Sequence, residues 1–190
     1  MNLATVLTYA MVFMLTLLPA CATQQTPDTQ FDRRLDRPLL TSIEHGRHDD
    51  VLELLGRGAD PNASDPLGRT ALMYAGINGQ TDTMEILIEK GAQINAQDKA
   101  GETPLHAAIV FGDPNAIRLL IDKGADVNAR FYLGPNTGNL SPLGLAKLRY
   151  RNSSERRISD VLARGRLILH AIKSDYEQII QMLESAGAVE

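Results

Sequence analysis

A chain of 190 residues carries one cysteine, Cys21. A single thiol excludes an internal disulfide and any zinc site built from paired cysteines. Positive charge is missing around it: no His, Lys or Arg stands between Met1 and Asp32. Nothing nearby in sequence would lower the pKa of Cys21, so a catalytic thiolate is not expected there. Catalytic motifs are missing as well. There is no G-x-S-x-G elbow and no phosphate loop, the two signatures that would mark an acyl-transfer or nucleotide site. Histidines number four. His45 and His48 are close in sequence but have no evident third ligand, and His170 lies among polar neighbours. The expectation is a protein with no enzymatic activity, no metal and no cofactor. The net charge of −4 and the want of a recognised motif argue against nucleic acid.

What precedes Cys21 is an apolar run, Leu3 to Leu18 (LATVLTYAMVFMLTLL). Its length suits a signal-peptide core and is marginal for a membrane span. The run ends in Leu18, Pro19, Ala20 and Cys21. These four residues resemble the lipobox of bacterial lipoprotein signals: Leu, a small residue, Ala or Gly, then Cys. The resemblance implies that residues 1–20 are a signal peptide and that Cys21 becomes the lipidated first residue of the mature chain. Residues 21–30 then form a tether, since Ala22 to Gln30 (ATQQTPDTQ) has almost no apolar mass to bury. An uncleaved anchor, or a plain export signal with an incidental cysteine, fits the same stretch. In proteins of this type an Asp after the cysteine favours the inner membrane. Ala22 therefore points to an outer-membrane anchor facing the periplasm, with a soluble periplasmic or inner-membrane location as alternatives.

Beyond the tether the chain repeats itself. LLGRGADPNA (54–63), LIEKGAQINA (87–96) and LIDKGADVNA (120–129) recur at a period of 33, as do Gly58, Gly91 and Gly124. Pro38, Ala71 and Pro104 keep the same interval and open short helical segments. In the second helix of each unit, Met84, Leu87 and Ile88, then Ile117, Leu120 and Ile121, follow helical spacing and give a buried stripe. Thr103 is placed to cap a helix whose first residue is Pro104. The glycines supply the left-handed residue that ends the second helix. Turns around Asp65 and Asp98, each with Gly three places on, carry the chain to the next unit.

This pattern resembles the ankyrin repeat, whose motif D-x-x-G-x-T-P-L-H-x-A-A is followed by Asp98, Gly101, Thr103, Pro104, Leu105, His106, Ala107 and Ala108, with the alanines one place early. The unit from Asp65 keeps Gly68, Thr70, Leu72 and Ala75 but has Ala71 for Pro and Met73 for His. The resemblance implies an all-α repeat solenoid over residues 31–190, with repeats at about 31–64, 65–97, 98–130 and 131–190. It gives His106 a structural role, stitching backbone between turns. No repeat covers its own apolar face, so neighbours must stack and ends must be capped. The charged run at Asp32, Arg33, Arg34, Asp36 and Arg37 suits such an end.

The fourth unit departs from the period. Pro142 follows Pro104 by 38 residues and Gly187 follows Gly124 by 63. Five extra residues therefore lie in the preceding finger and the rest between the two helices, at 151–174. There Asn152 with Glu155 forms a possible capping pair before an amphipathic helix carrying Ile158, Leu162, Leu169 and Ile172, and Ser174 with Glu177 a second before the last helix. The added helix reads as a lid over the last repeat or as a binding element. Lys147 to Lys173 holds eight basic and two acidic residues, net +6, which leaves −10 for the rest of a chain of net −4. Such a stripe suits anionic lipid or an acidic protein, or is simply a solvated face.

Ankyrin proteins bind other proteins through hairpin tips and the exposed side of the first helices. On the matching positions this implies Leu67, Arg69, Ile77 and Asn78 in the second repeat, and Lys99, Glu102, Val110 and Phe111 in the third. Glu44 and His45 match in the first, and Phe131, Tyr132 and Leu133 in the long finger. Clustered, the apolar members would form an interaction patch; Phe131 and Tyr132 would otherwise serve to fold the finger onto its neighbour. The functional expectation is a monomeric, membrane-tethered ankyrin lipoprotein that binds another protein. Neutralisation of a secreted toxin is one form of it. The alternatives are a scaffold for a periplasmic enzyme, such as a stress-response catalase, and a structural protein on anionic lipid.

Overall fold

The computed structural model describes residues 33–134, 138–153 and 173–190, all within one compact unit, Phe31–Glu190. Cys21, the apolar run, the tether and the amphipathic stretch of the insertion lie outside the described residues. Within the unit, helices come in pairs: α1 (Asp36–Glu44) with α2 (His48–Gly56), α3 (Ala71–Ile77) with α4 (Thr81–Glu89), and α5 (Pro104–Phe111) with α6 (Pro114–Asp122). A hairpin of β1 (Phe131–Gly134) and β2 (Gly138–Leu140) follows, then α7 (Pro142–Ser153) and α8 (Lys173–Ser185). First helices pack on first helices, α1 to α3 to α5 to α7, and the second helices α4, α6 and α8 pack side by side behind them. Among the described residues this is an all-α repeat solenoid carrying one two-stranded hairpin. Among the described residues no helix is long and apolar enough to cross a membrane.

The close stacking of first helices rests on small residues. In α5 everything from Pro104 to Ile109 is buried, so two alanines there cost no room that a neighbouring helix needs. Gly76 shows the limit: a Cβ on it would lie 3.3 Å from the Ala108 backbone nitrogen. Behind them, Met84 and Leu87 of α4, Ile117 and Leu120 of α6, and Ile179 and Leu183 of α8 are fully buried and join one core. Ile88 and Ile121 close its edge, half-buried.

The first helices of the second and third repeats start on a local clasp. Thr103 N–H donates to His106 Nδ1 at 3.3 Å, and the Thr103 hydroxyl donates to the same nitrogen at 2.8 Å. Where the second repeat has Met73, its sulfur accepts from Thr70 N–H at 3.4 Å while Met73 N–H returns to Thr70 Oγ1 at 3.3 Å. Each second helix ends on a left-handed glycine. Gly58, Gly91, Gly124 and Gly187 have φ of 92°, 95°, 91° and 86°, so the fourth repeat closes as the others do despite its wider spacing.

A second signature crosses the repeats. Asn62 Nδ2 donates to Gly91 O at 3.2 Å while its Oδ1 accepts from Gln93 N–H at 2.7 Å. Asn95 does the same with Gly124 and Asp126, at 3.1 and 2.8 Å. Asn128 does it again with Gly187 and Val189, at 3.4 and 2.8 Å. The clasp joins residues 29 and 31 apart in the first two cases and 59 and 61 apart in the third.

The helix ends of the fourth repeat differ from expectation. α7 continues to Ser153, so Asn152 lies inside its last turn and cannot act as an N-cap. α8 already contains Lys173 and Ser174, so Ser174 is not its cap either. The lengthened finger carries the β hairpin, with Phe131 paired to Leu140 and Tyr132 to Asn139.

Candidate protein-binding surface

The hairpins are built by carboxylates that gather backbone N–H groups. Asp65 Oδ1 accepts from Leu67 N–H and Arg69 N–H at 2.8 and 2.9 Å, and Asp98 Oδ1 from Ala100 N–H and Glu102 N–H at 2.8 Å each. Gly68 and Gly101 complete the turns at φ of 84° and 83°. Neighbouring tips are then bonded to each other: Lys99 N–H donates to Leu67 O and Tyr132 N–H to Ala100 O, both at 3.0 Å. Leu67, Lys99 and Tyr132 thus follow one another along a continuous ledge. Leu67 is 53% exposed and Tyr132 55%, and Lys99 is exposed between them.

Below the ledge a polar network stiffens the second hairpin. Arg69 Nε and Nη2 reach Asp65 Oδ2 at 2.8 and 2.7 Å, and Tyr74 OH donates to the same oxygen at 3.0 Å. The Arg69 guanidinium also lies 5.0 Å from the centre of the Tyr74 ring, within cation–π range. Burial opposes ionisation of Asp65, but the bonds from Arg69 and Tyr74 outweigh it and hold its pKa below the ordinary value. Burial and the bond to Asp65 raise the pKa of Tyr74. Glu102 is half-buried, and burial, followed by repulsion from Asp98, raises its pKa.

On the first helices, Ile77, Val110 and Leu148 hold one repeat position, 33 and 38 residues apart. All three are half-buried. Val110 packs against the core. Asn78 is exposed beside Ile77, and of Leu133 only the backbone, within β1, is described. Two aromatics leave the surface. Phe131 is 5% exposed and its ring sits 4.6 Å from that of His106; it serves the core, because the hairpin turns it inward opposite Leu140. Phe111 is half-buried, and a Cβ on Gly79 would run into its ring. Its ring covers the turn of the preceding repeat, which spends much of its apolar area inside the protein. Tyr74, Leu148 and Arg149 were not expected at this face. The signal for Tyr74 is an aromatic at the position that Ala107 holds one repeat later.

The remaining polar groups have structural uses. His106 is fully buried. Burial lowers its pKa to about 4, against the pull of the Leu140 and Ala129 backbone, and Nε2 faces that backbone without completing a hydrogen bond. His45 bonds Thr41 O at 2.8 Å and His48 bonds Thr83 Oγ1 at 3.3 Å, so the pair points to different partners. Among the described residues no three His, Cys, Asp or Glu are placed to hold a metal ion. A cleft of about 480 Å³ is lined by Arg37, Arg47 and Arg57 of the first repeat. Its acidic members, Asp50 and Glu53, pair with Arg47 and Arg57 at 3.2 Å each.

Stacked helix pairs joined by bonded hairpins define a tandem-repeat scaffold. Residues 38–131 match the family model for ankyrin repeats, in three copies. The fold is an ankyrin-repeat solenoid, and repeats of this kind mark a protein–protein interaction domain. No match was found among curated proteins.

Proposed function

We propose that this protein is a lipid-tethered ankyrin protein of the bacterial envelope, anchored through Cys21 in the outer membrane on its periplasmic side, and that it binds one protein partner without catalysis. The observation that supports the binding face is the pair of exposed apolar side chains, Leu67 and Tyr132, on a ledge of mutually bonded hairpins. Such side chains lose little by leaving water, and a rigid ledge loses little entropy when a partner docks. Arg69, Ile77, Asn78, Lys99, Glu102, Val110 and Leu133 surround or underlie it; Phe111 contributes its outer edge. Among functions of this kind, occlusion of a secreted toxin agrees with the acidic balance outside the basic insertion, which suits a basic target.

A photo-crosslinking residue at Tyr132 or Leu67, in otherwise native protein in envelope membranes, tests the surface. One predominant adduct is expected, lost in Leu67→Ser/Tyr132→Ser protein that carries the crosslinker at Asn78. An unchanged adduct in that variant overturns the assignment. Palmitate labelling of the native chain but not of Cys21→Ser tests the anchor. For the neutralising role, a deletion strain grows normally alone and is inhibited beside kin that carry the toxin; loss of an envelope enzyme's activity without inhibition supports the scaffold role instead.

A further inference from the structure

Glu102 holds, in the third repeat, the position that Arg69 holds in the second. The two are provided for differently. Arg69 has its counter-charge in Asp65 at 2.7 Å and the Tyr74 ring beneath it. Glu102 is half-buried, and the positive charges of Arg69 and Arg149 act on it from a distance. Among the described residues, though, no cation comes within ion-pair distance of it. Arg69 is already committed to Asp65. The Glu102 carboxyl therefore gives up part of its hydration and receives no ion pair in return, while Asp98 adds like charge nearby. A half-buried carboxylate in that state is compensated when a cation from outside reaches it.

The surroundings say what else the cation brings. The tips on either side of the third hairpin carry Leu67 and Tyr132, both exposed and both bonded through their backbones to Lys99 and Ala100. Taking this face as the protein-binding surface proposed above, we infer that it recognises a partner segment presenting an Arg or Lys side chain flanked by apolar ones. The cation pairs with Glu102, and the apolar neighbours rest on Leu67 and Tyr132.

The test uses the full-length chain in detergent micelles, labelled with ¹³C at Glu side chains and at Leu and Tyr. The probes are three blocked peptides, Gly-Leu-Arg-Leu-Gly and its Gln and Glu counterparts at the central residue. The Arg peptide is expected to shift the Leu67 and Tyr132 signals and to move the Glu102 titration to lower pH. The Gln peptide is expected to bind about tenfold more weakly. Glu102→Gln protein is expected to lose that preference while binding the Gln peptide as before, which separates charge recognition from a general loss of structure. Arg149→Ala protein is expected to keep the preference. Equal binding of the Arg peptide to native and Glu102→Gln protein, with Leu67 and Tyr132 still shifting, overturns the inference and leaves the surface standing. No shift with any peptide also overturns it, and the crosslinks at Leu67 and Tyr132 then decide separately whether the surface itself falls.

Discussion

The second and third repeats and the fourth solve the same packing problem with different amounts of chain. In the third, thirty-three residues bring the chain from Gly91 to Gly124; in the fourth, 63 bring it from Gly124 to Gly187. Yet Gly187 ends its helix at the same φ, and Asn128 closes the same clasp on the repeat that follows it. The comparison teaches that the unit is defined by its contacts: the buried stripe, the glycine and the asparagine. Extra residues are accommodated where those contacts do not pass, in the finger and between the helices.

The buried stripe gives the sharpest contrast between middle and end. Leu120→Ala, in a helix flanked by α4 and α8, is expected to cost about 2–5 kcal/mol. Leu183→Ala is expected nearer the lower limit, because α8 is bordered by α6 alone among the described second helices, leaving more room to relax. Urea unfolding at constant m checks the pair. Equal losses would mean that the last repeat is packed as tightly as the third.

Glycine positions come next. Gly79→Ala combines a left-handed backbone at φ 65° with a clash against the Phe111 ring, and about 2–4 kcal/mol is expected. Gly124→Ala has the same kind of backbone at 91° but open space at Cβ, so only about 1–2 kcal/mol is expected. Thermal melts of the two variants, with Phe111→Ala as background for the first, test whether the ring accounts for the difference.

Repeats two and three also differ at Met73 and His106, and this difference depends on pH. His106 is buried neutral with its pKa lowered to about 4 from 6.5. Below pH 6.5 the unfolded chain binds a proton that the fold refuses, so stability falls as pH drops and the loss is complete near pH 4. The full effect is about 3 kcal/mol at most. His106→Met, which installs the residue found one repeat earlier, is expected to flatten the profile between those limits. An unchanged slope would assign the effect to other groups.

The smallest expected effect concerns the clasp itself. Asn95→Ala and Asn128→Ala each remove two hydrogen bonds at exposed sites, about 0.5–1.5 kcal/mol. The loss at Asn128 is expected to be the lesser, since its bond to Gly187 is 3.4 Å against 3.1 Å for Asn95 to Gly124. Amide exchange at Val189 and Asp126 reads the two clasps individually.

The stack was legible because its middle obeys a period: a capping Thr at Thr70 and Thr103, a first helix of small residues, an apolar stripe and a terminal glycine. What was not legible is where side chains turn once the period breaks. Phe131 reads either as a surface anchor or as a residue folding the finger onto its neighbour, and the pairing with Leu140 and the contact with His106 decide for the second. Phe111 reads as a surface residue because nothing in its own repeat covers it; Gly79, 32 residues earlier, does. Asn152 and Ser174 satisfy capping spacings that the helices override by running through them. Asn62, Asn95 and Asn128 read as ordinary turn residues because their partners lie one repeat away. For the site, Leu67 and Tyr132 are exposed as the repeat position implied, while Leu148 was hidden in a stretch whose basic residues dominate its composition.

The asparagine clasp has a practical corollary. Asn128 fastens the final segment to the rest of the stack directly, without reference to the sequence between α7 and α8. A reporter or a second domain spliced between those helices leaves the asparagine clasp, the terminal glycine and the buried stripe of α8 in place.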